Sequence, residues 1–105
     1  MFNTIKGILG IEDTDLKQLL IEGGVILDVR NKGEFSGGHI NGSINIPLDT
    51  LQNNLNILKE KNRAIITCCA SGVRSAKAKN LLKVNGYSNV HNGGGWQSLN
   101  QKINN

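Results

Sequence analysis

Residues 64–86 read AIITCCASGVRSAKAKNLLKVNG. The apolar run AIITC at 64–68 predicts a strand. It gives way to three small residues, Ala70, Ser71 and Gly72, and then to a helical pattern over 74–85. In that pattern Ser75, Ala78, Leu81 and Leu82 share one face, Lys77, Lys79 and Lys83 point away from it, and Gly86 marks the stop. A strand, a tight loop and a helix in this order form half of a parallel unit. The chain's two cysteines, Cys68 and Cys69, stand where the strand hands over to the helix.

Outward from this stretch the same alternation continues. VILDV at 25–29, INI at 44–46 and NVH at 89–91 read as further strands. Leu16, Leu19 and Leu20 define a helical face, with Asp13 or Thr14 as its cap and Gly23-Gly24 as its stop. Leu51, Leu55 and Leu58 define another, opened by Asp49 and Gln52 in the spacing of a capping box. Strands alternating with helices imply an α/β fold, a mostly parallel sheet covered on both faces. A chain of 105 residues supplies one domain and one core. In such sheets ligands bind beyond the carboxyl ends of the strands, where the cysteine pair lies.

Composition narrows the function classes. Adjacent cysteines cannot staple distant segments, and His39 and His91 stand alone, so neither a disulfide framework nor a metal site is expected. No cofactor is implied. The first residues lack the pattern of a signal peptide and no run approaches a membrane span, which predicts a soluble cytoplasmic protein with free thiols. Charge is divided unevenly. All eight acids lie at or before Glu60, and seven bases follow it: Lys61, Arg63, Arg74, Lys77, Lys79, Lys83 and Lys102. These bases are spread rather than striped and aromatic residues are few, so they suit steering of a small anion or an acidic protein partner better than nucleic acid.

The loop after the strand suits a thiolate. Small residues let the chain wrap so that backbone N–H groups converge as an anion cradle, and the helix N-terminus adds positive potential. In such surroundings a cysteine pKa falls from about 8.5 to roughly 3.5–7.5. Arg74 supplies a planar fork for an anionic group. Cys68, inside the predicted strand, reads as a buried thiol, and Cys69, in the loop, as the reactive one. Two spacings compete. CASGVR counts from Cys69, whereas CCASGVR counts from Cys68 and has the spacing of cysteine-dependent phosphatases.

ILDVRNKGEFSGGHINGSINIPL at 26–48 and CASGVRSAKAKNLLKVNGYSNVHNGGGW at 69–96 together resemble the two hallmark regions of the single-domain rhodanese family, over about residues 12–100. The resemblance implies a rhodanese-like fold with a five-stranded sheet. It also implies a six-residue active loop with Cys69 as nucleophile, completed by Ala70, Ser71, Gly72, Val73 and Arg74. In that family the cysteine takes sulfane sulfur from a donor, thiosulfate or a low-molecular-weight or protein persulfide, and passes it to a thiol or to cyanide. The related phosphatases of the cell-division cycle have a loop one residue longer, which would make Cys68 the nucleophile. A third reading is a persulfide relay or sensor that docks on a partner through the basic second half. ASGV brings no base before Arg74, so a dianion such as thiosulfate would rely on Arg74, the backbone and Lys77.

Other residues have structural readings. Asp28 and Arg30, at the end of a buried strand, suit a charge-assisted pair that fixes the next loop, with Glu34 joining it and Ser75 supporting the active loop. His39 reads as a hydrogen-bonded structural histidine. Gly93, Gly94 and Gly95 read as a backbone turn, and Trp96 as core or pocket rim.

Overall fold

The computed structural model describes residues 15–104. Strands β1 (Val25–Asp28), β2 (Ile44–Asn45), β3 (Ile65–Cys69) and β4 (Val90–Gly95) form one parallel sheet in the order β2-β1-β3-β4. The four apolar runs read from the sequence each become one of these strands. The fifth strand implied by the resemblance is not among the described residues, whose remaining segments are taken up by helices and turns.

Helices cover both faces because strand side chains alternate. Val25, Leu27, Ile65 and Cys69 point to one side. There they meet Leu48 and Leu51 of α3 (Leu48–Leu51) and Leu55 of the 3-10 segment Gln52–Ile57. Ala78 and Leu82 of α4 (Val73–Val84) complete that layer. Ile26, Ile66 and Cys68 point to the other side, against Leu16, Leu19 and Leu20 of α1 (Leu16–Ile21) and Trp96, Leu99 and Ile103 of α5 (Trp96–Ile103). Leu51, Ile66, Leu82 and Leu99 are fully buried, and each such side chain contributes about 1.5–3 kcal/mol.

Several boundaries differ from the sequence reading. Helix α1 is capped by Asp15, whose carboxylate accepts from the Gln18 N–H; Asp13 and Thr14 lie outside the described residues. The capping box expected at Asp49 and Gln52 does not form. Pro47 already sets the start of α3, so Asp49 lies within its first turn, and the chain tightens at Gln52 into the 3-10 segment. A capping box occurs instead at α2 (Lys32–Ser36), where Asn31 and Glu34 exchange side-chain and backbone hydrogen bonds. The glycine run is not a turn but the end of β4. It must be glycine at Gly93, where a Cβ would lie 2.8 Å from Ile66 Cγ2 and 2.9 Å from both Leu99 Cδ2 and the Thr67 carbonyl.

Candidate functional site

All four strands run the same way, and the chain leaves β1 for β2 on one side, then returns to β3 on the other. The carboxyl ends of β1 and β3 therefore flank a topological switch point, where open parallel sheets place ligands. Asp28 ends β1 and Cys69 ends β3.

Cys69 is the last residue of the strand rather than a loop residue, and its side chain has no exposed surface. The loop above it is open: Ala70, Ser71 and Val73 are exposed. Gly72, with φ of 102°, turns the chain through a conformation that glycine adopts freely. This turn aims the Gly72 N–H at Cys69 Sγ at 3.0 Å, and the first turn of α4 aims the Ser75 N–H at 3.3 Å. The Ser75 hydroxyl lies 3.6 Å from the sulfur. Burial is the largest single influence on this thiol and acts to raise its pKa. The Ser75 hydroxyl and the N–H groups of Ser75, Gly72 and Ser71 together outweigh it, leaving Cys69 more acidic than an ordinary thiol. Three backbone N–H donors gathered on a dry sulfur, with the Ser75 hydroxyl beside them, make a site for a thiolate and for the anion it becomes after accepting an atom.

Cys68 faces the opposite way. Its thiol lies in the apolar cluster of Ile26, Ile40, Ile66 and Leu99. Burial, reinforced by the Asp28 carboxylate, pushes its pKa up to about 12. A nucleophile at Cys68, as the longer spacing requires, would sit on the wrong side of the sheet from the cradle.

Asp28 and Arg30 form a buried pair, with Arg30 Nη2 to Asp28 Oδ2 at 2.8 Å and Nε bridging both carboxylate oxygens at 3.0 and 3.1 Å. Arg30 also donates to the carbonyls of Glu34 and Gly38 and lies 4.7 Å over the Trp96 ring. The pair thereby ties the end of β1 to α2 and to α5. Its hydrogen bonds to Asp28 hold the Arg30 pKa above its ordinary value despite burial. His39 donates from Nδ1 to the Phe35 carbonyl at 2.7 Å and stacks on the Phe35 ring at 3.7 Å.

Glu34 departs from the sequence expectation. Only its backbone carbonyl meets Arg30; its carboxylate pairs in a bidentate fork with Arg74, at 2.7 and 2.9 Å. The sequence offers one clue to this residue, the Asn31-to-Glu34 capping spacing, and none to its partner 40 positions away. A second residue that sequence reasoning missed is Asn92 on β4. Its Oδ1 accepts from the Ser75 hydroxyl at 2.7 Å and from the Gly94 N–H at 3.0 Å, so it fixes the hydroxyl beside Cys69. Nothing local in the sequence marks it, because β4 meets the loop only through the sheet. Among the described residues no three His, Cys, Asp or Glu side chains converge as metal ligands, and no helix is long and apolar enough to cross a membrane.

The family model of the rhodanese-like domain matches residues 12–102. Thiosulfate sulfurtransferase PspE of Escherichia coli is 32% identical over 70% of this chain and 71% of its own length. The tRNA uridine(34) hydroxylase of Buchnera aphidicola is 35% identical over 85% of this chain, which spans only 30% of that protein. Among solved structures, a rhodanese-like domain protein from Staphylococcus aureus superposes with a TM-score of 0.69 at 40% identity, covering 80% of this chain and 83% of that one.

Proposed function

Because the chain belongs to the rhodanese-like domain family, we propose that it is a sulfurtransferase in which Cys69 carries the sulfur. The observation that carries this reading is the Cys69 sulfur itself, acidified by the Ser75 hydroxyl and by three backbone N–H groups at the floor of an exposed loop. An ionised thiol needs no general base. The Cys69 thiolate attacks the outer sulfur of a donor. A new S–S bond forms to Cys69, the donor's own S–S or S–sulfonate bond breaks, and a thiolate or sulfite leaves with the electron pair. The terminal sulfur on Cys69 then lies among the same N–H donors. Attack on that sulfur by a thiol or cyanide returns Cys69 to the thiolate. The burial of Cys69 keeps water from the persulfide, and the donor approaches from the side of Ala70, Ser71 and Val73. The match to PspE over most of both chains favours sulfur transfer over the activity of the hydroxylase, of which this chain spans less than a third.

The test is intact mass after brief exposure to thiosulfate or to a thiol persulfide, on the wild type, Cys68→Ser and Cys69→Ser, each then treated with cyanide. Addition of one sulfur, about 32 Da, should persist in Cys68→Ser, vanish in Cys69→Ser and be removed by cyanide. Labelling that depends on Cys68, or none at all, would overturn the assignment. Loading that cyanide does not discharge would favour the relay that delivers sulfur only to a partner.

A further inference from the structure

We propose that Glu34 is a specificity-determining residue that selects singly charged sulfane-sulfur donors, the persulfides of thiols, over the dianion thiosulfate. This rests on the sulfur-transfer reading above.

Arg74 is the one base of the active loop, and its guanidinium is already engaged. Both of its Nη atoms meet the Glu34 carboxylate, with the two side chains 35% and 32% exposed. Glu34 in turn is held from two directions. Its Oε1 accepts the Asn31 N–H at 3.0 Å, and its backbone carbonyl accepts from Arg30. The Arg74 hydrogen bonds, then the Asn31 N–H, bring its carboxyl down to about 2, so it is charged throughout the working range. The carboxylate is therefore in place before any substrate arrives.

The charge count around the sulfur follows. Asp28 with Arg30 and Glu34 with Arg74 are each neutral as pairs, and the Cys69 thiolate leaves the site at one negative charge. A dianion approaching that site finds no free cation in the loop; Lys77, the other base expected to assist it, is an exposed residue of α4 beyond the loop. To use Arg74 it must displace Glu34, whose carboxylate stays close by on α2. A thiol persulfide needs only the N–H cradle, and its leaving group carries one charge rather than two. Like-charge juxtaposition of this kind discriminates between partners more than it changes affinity for the favoured one.

Glu34→Gln is the discriminating variant. A glutamine still accepts the Asn31 N–H and so keeps the capping box, while the charge is removed and Arg74 is freed. Sulfur loading of Cys69 would be followed by mass with thiosulfate and with the persulfide of 2-mercaptoethanol. The ratio of the thiosulfate to the persulfide kcat/KM should rise roughly three- to tenfold, with the gain in the thiosulfate KM. Alkylation of Cys69 supplies a readout free of sulfur chemistry. The ratio of rates with anionic iodoacetate and neutral iodoacetamide should rise in the same variant, any change in the thiol pKa cancelling between the two reagents. Unchanged or lowered ratios, with loading intact, would overturn the role of Glu34 alone. No sulfur on wild-type Cys69 from either donor would overturn the sulfur-transfer reading and the donor preference built on it.

Discussion

Two acid–arginine pairs flank the carboxyl ends of β1 and β3, and each accompanies one cysteine. Asp28 and Arg30 lie on the face of Cys68, sealed at 0% and 5% side-chain exposure, and Arg30 packs over Trp96. Glu34 and Arg74 lie at the mouth by Cys69 with about a third of each side chain in water. The sealed pair ties three elements together and leaves its cysteine inert. The open pair presents a charge that a ligand can reach, beside a cysteine made acidic. Similar chemistry thus serves structure on one face and reactivity on the other, and solvent access separates the two.

The largest test of this contrast is Asp28→Ala. It leaves the Arg30 guanidinium buried without its partner, which should cost about 3–5 kcal/mol and lower the thermal midpoint accordingly. An effect no larger than that of a surface substitution would mean the sealed pair is not structural. Cys68→Ser places an extra hydroxyl among Ile26, Ile66 and Leu99 and should cost about 1–3 kcal/mol in denaturant unfolding. Sulfur loading of that variant's folded form should continue. Ser75→Ala removes the hydroxyl that helps acidify Cys69, and should shift the pH midpoint of alkylation by neutral iodoacetamide upward, slowing the reaction at neutral pH by roughly tenfold or less. An unmoved midpoint would assign the acidity to the backbone N–H groups alone.

The cysteines should also separate by pH in the folded protein. Cys69, below its ordinary value, stays reactive as pH falls beneath the usual thiol range. Cys68 resists alkylation until pH nears about 12. The sign for stability follows from linkage. Between the ordinary thiol value and about 12 the unfolded chain has released the Cys68 proton and the folded one has not, so this residue makes stability fall as pH rises through that window. Cys68→Ala should flatten that part of the alkaline unfolding curve.

Much of this was legible in local pattern. Four apolar runs announced the four described strands, and the helix after the loop lies one residue earlier at each end than the pattern predicts, over 73–84 instead of 74–85. The helices α2 and α5 were not read. The first is five residues long and marked only by its Asn31 cap, and the second follows a glycine run whose meaning depends on Ile66 and Leu99 packing against it. Its small neighbours make Cys69 look like a loop residue; pairing of Cys69 with Gly95 across a register shift carries the strand one residue further and buries it.

What the sequence determined by itself was periodicity: which residues alternate on a strand and which share a helical face, with Cys68 inside a strand and Cys69 beside the small residues that follow it. That Cys69 is also a strand residue, so that the two thiols point to opposite faces, came from the pairing of β3 with β4. Only the tertiary structure decided which cations are free. Arg74 and Glu34 lie 40 positions apart and meet because β1 and β3 are neighbours in the sheet, and Asn92 reaches Ser75 because β4 lies beside β3. Pairing of charges and aiming of a hydroxyl depend on distance in space, and distance in space is set by the order of the strands.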